Sequence, residues 1–398
     1  MRILHISWEY PPLVYGGLGR HVHALAEAQA ALGHEVTVLT QQGPGASSAE
    51  TVNGVSVIRV EPPTPEVPRV PDQLVEWTLE LDARIASRAP EVIKEVTPDV
   101  IHGHDWVVAR ASLAARDAAG GSTPLVITIH ATESGRHQGW INGDVSKTIN
   151  AREELLATRA DELIVCSGGM KTEVVHALGA PANRVAVIPN GIDTERWIVS
   201  RTDREDARFR WAPDGPLIVF VGRLEWEKGV HTLIDAVDQV RANHPSSTFV
   251  IAGTGTFEDT LHTRAADLAD QAGVKFAGWL GETDMMALIA AGDLAVVPSL
   301  YEPFGLVALE AAALRTGLVV ADTGGLSDIV THGHTGLVFE AGDPESLAAT
   351  IDQALNNPDE VADYVERIGE QLVHDFDWTR IAQRTVTAYE SARNGGST

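Results

Sequence analysis

The chain has 398 residues, 44% of them hydrophobic and 21% charged, and its 55 acidic side chains against 30 basic ones leave a net charge of −25. That length and composition imply two or three domains whose cores need neither disulfides nor metal. The charge argues against nucleic acid and anionic membrane surfaces as principal partners, and it requires any anionic substrate to be held by locally concentrated cations.

The opening MRILHIS has no long apolar run and no small-residue cleavage site, so no signal peptide is expected there, and residues 2–7 read as a buried strand. Residues 20–32 place apolar side chains at helical spacing, residues 35–40 and 55–60 read as strands, and a helical stretch lies between 72 and 96. Further strands are expected at 99–102, 125–130 and 162–167. The single cysteine, Cys166, falls in the apolar run LIVCS with no adjoining base and is expected to be a core residue. Continuous apolar strands separated by helices indicate a parallel sheet covered on both faces.

Residues 194–216 are polar, rich in Arg and Asp, and contain no clear strand. The pattern then restarts with strands at 217–221, 248–252, 274–276, 294–297 and 318–320. The expected class is α/β, with two doubly wound, Rossmann-like domains over 1–189 and 190–377. Ligands in such sheets bind outside the carboxyl ends of the strands, so two facing sheets would hold a ligand in the cleft between them. The last helix, near 378–392, has no following strand, and its pattern fits packing on either domain. The Gly/Ser-rich tail 394–398 is expected to fray. No run of about 18 apolar residues occurs, so no integral membrane segment is expected and a cytoplasmic enzyme is the default.

Four motifs carry chemistry. Gly16 and Gly17 open the run GGLGR between the first strand and its helix. Glycines there let backbone N–H groups at a helix start approach a phosphate, although a tight strand–helix turn has the same composition. Gly222-Arg223-Leu224 and Glu225-Trp226-Glu227-Lys228-Gly229 follow the first strand of the second domain. Arg223 and Lys228 there form a candidate anion clamp, with surface pairing to Glu225 and Glu227 as the alternative. Glu302-Pro303-Phe304-Gly305 runs on to Glu310, with seven residues between the carboxylates. Those carboxylates suit sugar hydroxyls, and Phe304 and Gly305 offer N–H groups at a helix start. His130 ends one strand, and His102, His104, Asp105 and Trp106 end another. Polar residues at strand ends face a ligand in this fold. Trp106 could equally be core. His-x-His lacks a third ligand at convincing spacing, so no metal and no other cofactor is expected.

These motifs together resemble the retaining glycosyltransferases of family 4, which have the GT-B fold, through SWEYPP, GGLGRH, HGHDW, TIHATE, PNGIDTERW, GRLEWEKG, AGTG and YEPFGLVALE. The glycogen synthase branch is most similar, especially the actinobacterial cytosolic α-1,4-glucosyltransferases. The resemblance implies an acceptor-side first domain, onto which the last helix (378–398) crosses back, and a nucleotide-sugar-binding second domain. It implies that Gly16, Gly17, Arg223 and Lys228 contact the donor diphosphate and that Glu310 holds the ribose. Glu302, with the backbone of Phe304 and Gly305, would hold the donor hexose, and His130 would touch it near the reacting centre. Asp105 would lie by a sugar, with His104, Asp105 and Trp106 as the candidate acceptor residues. One departure stands out: glycogen synthases often carry Lys before the paired glycines, where this chain has Tyr15.

The function implied is transfer of glucose from ADP- or UDP-glucose to an α-1,4-glucan, with retention and without metal. The alternatives are a disaccharide-phosphate synthase of the maltose-1-phosphate type, or transfer to another small or lipid acceptor. A nucleotide-sugar epimerase and a non-catalytic nucleotide-sugar-binding module are the remaining readings, and the intact set Arg223, Lys228, Glu302 and Glu310 argues against the last.

Overall fold

A computed structural model of the chain describes residues 1–64, 66–68 and 70–395. Residues 396–398 of the expected frayed tail lie outside the described residues. The chain divides into two compact units, Met1–Gly191 with Trp378–Thr398, and Ile192–Asp377.

The first unit is built on eight strands: β1 (Arg2–Ile6), β2 (Glu35–Gln41), β3 (Ala49–Val52), β4 (Val55–Val60), β5 (Val100–His104), β6 (Leu125–Ile129), β7 (Glu162–Val165) and β8 (Val185–Val187). Their order is β3-β4-β2-β1-β5-β6-β7-β8. All pairings are parallel except β3–β4, so the all-parallel expectation is corrected at one edge. A two-residue turn, Asn53-Gly54, joins β3 to β4 with both residues at positive φ, the geometry that suits a tight hairpin. The strand expected at 99–102 is shifted to Val100–His104, because both histidines are enclosed rather than exposed at a loop.

The core of this unit shows why the last helix, Trp378–Arg393, belongs to it. Ile381, Ala382, Ala388, Tyr389 and Ala392 join Ile3, Val22, Leu25, Val36, Val100 and Val126 in one buried cluster. Tyr389 is fully enclosed. Burying an aromatic ring of that size stabilises a fold by about 1.5–3 kcal/mol. Cys166 is likewise buried, as expected of a core residue.

Helix Pro71–Val96 carries Asp82, whose side chain is completely buried. It accepts the N–H groups of Arg110 (2.9 Å) and Ala111 (2.8 Å) at the start of helix Ala109–Ala118 and pairs with Arg152. Burial pushes its pKa up, opposed by Arg152 and the two amides. Arg152→Met is therefore expected to destabilise the protein by about 3 kcal/mol, the lower end for breaking a buried pair, since Arg152 keeps some solvent contact. Urea unfolding measures this, and a loss under about 1 kcal/mol would mean that the two amides alone neutralise the carboxylate.

The second unit holds β9 (Leu217–Val221), β10 (Thr248–Ala252), β11 (Val274–Gly278), β12 (Leu294–Val297), β13 (Gly317–Ala321) and β14 (Leu337–Phe339), all parallel, in the order β11-β10-β9-β12-β13-β14. The polar stretch without a strand contains a helix, Arg201–Trp211, capped by Ser200, whose hydroxyl accepts the N–H of Asp203. Among the described residues no helix is long and apolar enough to cross a membrane.

Candidate active site

In the second unit the turn after β9 delivers Arg223 and then a short 3-10 helix, Trp226–Lys228. Gly229 ends that turn at φ 66°, and a Cβ there would lie 1.8 Å from the carbonyl oxygen of Pro298. Only glycine allows the turn to sit this close to the end of β12. The carbonyl of Glu227 accepts the N–H groups of Leu300 (2.8 Å) and Tyr301 (3.2 Å), fastening the two loops together. As a result Lys228 and Glu302, 74 positions apart in sequence, form an ion pair of 2.8 Å with side chains 19% and 14% exposed. Ser299 also donates to Glu302, at 3.0 Å. Arg223 differs: it is 57% exposed and pairs with Glu227 at 3.0 Å. Both cations are thus paired with carboxylates of this chain, Lys228 largely enclosed on Glu302 and Arg223 on the surface beside Glu227, the partner foreseen for a surface pair.

Phe304 is buried and packs edge-on against Phe376, with ring centroids 6.1 Å apart. The helix Leu306–Ala313 begins at Gly305, and Glu310 is buried on it rather than lying on a solvated face.

In the first unit the loop after β1 folds around a carboxylate of this chain. The N–H groups of Tyr15 (2.8 Å) and Gly16 (3.0 Å) donate to one oxygen of Glu9. Gly19 also donates to this carboxylate, which burial raises in pKa and the three amides lower. A Cβ at Gly19 would lie 2.8 Å from the same oxygen, so the glycine spacing makes room for an internal carboxylate. The Gly16 amide, expected to meet a diphosphate, already serves an anion of this chain, and Gly17 starts the helix Gly17–Ala31 beside it.

At the ends of β5 and β6 Asp105 and His130 come together. The N–H of His130 donates to Asp105 at 2.7 Å. Asp105 has φ 62°, a left-handed conformation rare outside glycine and typical of over-determined functional positions. Burial pushes its pKa up to about 7, against the opposing N–H of His130. Burial also takes His130 down to about 3, so its ring is neutral at physiological pH.

His104, expected to face an acceptor, is fully enclosed. It touches other imidazoles instead: His5 Nδ1 at 3.0 Å and His130 Nε2 at 3.4 Å. Trp106 is half-buried at the start of a 3-10 turn, and its carbonyl accepts from Arg152 at 3.1 Å. The third nitrogen missing from the local spacing exists in space. His5, His102 and His104, and also His21, His104 and His130, bring ligand-type atoms within 4.8 Å of one another. In the first trio every ring nitrogen has a hydrogen-bond partner. In the second, His21 Nδ1 pairs with Asn190 at 2.7 Å while its Nε2 has none. Sequence reasoning missed His5, His21, Gln29 and Tyr389. The usable signal was the alternation of β5, which puts His102 and His104 on one face beside His5 of β1.

Comparison with known proteins gives this geometry a context. The family described as Glycosyltransferase Family 4 matches residues 15–196, and that described as Glycosyl transferases group 1 matches residues 202–371. The chain is 41% identical to a glycogen synthase of Mycobacterium tuberculosis, over 99% of this chain and 96% of that protein. It is 28% identical to an alpha-maltose-1-phosphate synthase of Mycolicibacterium smegmatis, over 98% and 99% of the two chains. Among solved structures, a sucrose-phosphate synthase from Thermosynechococcus elongatus superposes with a TM-score of 0.78 at 23% identity, covering 98% of each chain. That identity carries the fold alone. The near full-length 41% relative and the two family matches, one on each unit, carry the rest: the chain belongs to glycosyltransferase family 4 and is a glycosyltransferase with the GT-B fold.

Proposed function

We propose that the protein is a retaining, metal-independent glucosyltransferase that extends an α-1,4-glucan from ADP- or UDP-glucose. The observation that carries this reading is the 41% identity to a glycogen synthase along 99% of the chain. The Lys228–Glu302 pair supplies the chemistry. Lys228 carries the positive charge that a leaving diphosphate needs, and Glu302 accepts from hydroxyls of the donor hexose. Arg223 adds a second, exposed cation. Because the Gly16 amide already holds Glu9, we assign the diphosphate charge first to Arg223 and Lys228 and only secondarily to Gly16 and Gly17. Glu310 is assigned to the ribose, the backbone of Phe304 and Gly305 to the hexose, and His130 to the hexose near its anomeric carbon. Asp105 and Trp106 remain assigned to the acceptor side, and enclosed His104 supports His130 instead of meeting acceptor.

In the step itself, the bond from the anomeric carbon to the diphosphate oxygen breaks first, through an oxocarbenium-like state. The acceptor hydroxyl oxygen bonds to the same face of that carbon, and its proton passes to the leaving phosphate oxygen. Negative charge then builds on the diphosphate as positive charge builds on the sugar, and preorganised cations beside the diphosphate lower the barrier.

The test is a panel of ADP-, UDP- and GDP-glucose, each with maltooligosaccharides, with glucose 1-phosphate and with no acceptor, with and without EDTA. Label is expected in longer oligosaccharides that α-1,4-specific hydrolases digest, at a rate unchanged by EDTA. Label appearing only in a disaccharide phosphate would select the second reading, which the 28% identity to a maltose-1-phosphate synthase favours. Donor consumption without acceptor would point to an epimerase.

A further inference from the structure

Behind His130 runs a continuous line of buried hydrogen bonds. His130 Nε2 meets His104 Nδ1 at 3.4 Å, and His104 Nε2 meets His5 Nδ1 at 3.0 Å. His5 Nε2 meets Gln29 Oε1 at 2.8 Å, and Gln29 Nε2 donates to the Tyr389 hydroxyl at 3.1 Å. Tyr389 Oη meets His102 Nδ1 at 2.7 Å, and His102 Nε2 meets the Thr128 hydroxyl at 2.7 Å. His5, Gln29, His102 and His104 are fully enclosed, as is Tyr389. Burial keeps all four imidazoles of the line neutral, with His5 near 4, His130 near 3, and His102 and His104 well below the ordinary range.

A neutral imidazole has one N–H and one bare nitrogen. Each link therefore dictates the next, and the whole line has two proton arrangements. With Gln29 Oε1 toward His5, His5 donates from Nε2 and accepts at Nδ1. His104 then donates from Nε2 and accepts at Nδ1, and His130 must donate from Nε2, which leaves its Nδ1 bare. On the other side the Gln29 amide donates to Tyr389, Tyr389 donates to His102 Nδ1, and His102 Nε2 donates to Thr128. Turning the carboxamide over reverses every link and moves the His130 proton to Nδ1.

We propose that Gln29 and Tyr389 are positioning residues for His130, the orientation of one buried carboxamide deciding which nitrogen of His130 carries its proton. Gln29 lies on the helix Gly17–Ala31 and Tyr389 on the last helix, so the returning C-terminal helix anchors the line as well as the core. In the orientation present, Nε2 is protonated and Nδ1 is an acceptor, the form that takes a hydrogen bond from a sugar hydroxyl. This step rests on the assignment of His130 to the donor hexose made above.

The experiment reads tautomers directly, in the full-length protein labelled with nitrogen-15 at histidine, by two-bond proton–nitrogen correlation spectra. Wild type is expected to show His130 as the Nε2–H form alone. Gln29→Met, which removes both amide functions, is expected to give a mixture of both tautomers and a kcat lowered about tenfold or more, with donor KM within about twofold. Gln29→Glu keeps an acceptor facing His5 and is expected to restore the single tautomer and most of the rate. If Gln29→Met does not fold, Tyr389→Phe frees the carboxamide to turn over and is expected to give the same mixture. A single, unchanged His130 tautomer in Gln29→Met or Tyr389→Phe would overturn the proposal, as would an Nδ1–H form in wild type. Altered tautomers with unaltered rates would uphold the line and remove His130 from the sugar instead.

Discussion

Lys228→Ala is expected to lower kcat by roughly 10²–10³-fold with the fold intact, the loss seen when a preorganised donor is removed from a developing oxyanion. The side chain is held at 2.8 Å from Glu302 and is only 19% exposed, so it costs little reorganisation when the diphosphate leaves. Its removal also leaves the Glu302 carboxylate without its cation, the Ser299 hydroxyl being its remaining side-chain partner among the described residues. Arg223→Ala is expected to cost less, about tenfold, because an exposed cation is screened and its pair with Glu227 is worth little. Lys228→Arg should recover part of the rate by restoring charge without the same reach. Steady-state kinetics beside urea unfolding separate these effects. A near-wild-type kcat in Lys228→Ala would reduce the pair to a tie between two loops.

Why these residues could be found in advance, and others could not, has a physical basis. The strands of the second unit are short apolar runs such as LIVFV, buried on both faces, and their signal is strong in one sequence. The strands overlooked are of two kinds. β3, AETV, is exposed at every residue and sits at an edge, so it lacks any apolar pattern. β8 and β14 have three residues each, too few for periodicity to register. The helix Arg201–Trp211 buries only Ala207, and a mostly polar segment carries no apolar stripe to reveal it.

For the site the division is similar. Lys228 and Glu302 follow strand ends of a recognisable fold, which is what singled them out as candidates for holding an anion and accepting from hydroxyls. Glu9 was hidden because its role depends on three amides that the chain folds around it. His104 misled because a histidine at a strand end reads as facing ligand, whereas neutral imidazoles can satisfy one another inside the sheet. That substitution of partners needs His5 beside His102, which the β1–β5 register provides and no local spacing displays.

The enclosed imidazoles also make the first unit acid-sensitive, and the sign follows from their partners. His5 is taken down to about 4 and His130 to about 3, and His21, His102 and His104 lie well below the ordinary range, all through burial. In the unfolded chain each binds a proton near pH ~6.5. Unfolding at pH 5 therefore takes up on the order of five protons from these groups. Carboxyls withdrawn from water act oppositely: burial raises Asp105 to about 7 and Glu153 to about 8, and it also raises Glu9, Asp82 and Glu162. Asp105 and Glu153 keep their protons when folded but lose them near pH ~4 when unfolded, so unfolding at pH 5 releases at least about two. The difference is a net uptake of up to about three protons, a stability that falls by at most about 4 kcal/mol per pH unit between roughly pH 6 and 5. Above about pH 6.5 the imidazoles no longer contribute to the slope, and the carboxyls alone make stability decline as pH rises toward 8. Urea unfolding at half-unit steps from pH 5 to 8 is expected to trace a maximum close to neutrality with the steeper limb on the acid side. His5→Gln should shallow that limb by about one proton. A flat acid limb would mean that the imidazoles titrate as exposed ones do, and that the line of hydrogen bonds behind His130 is not formed in solution.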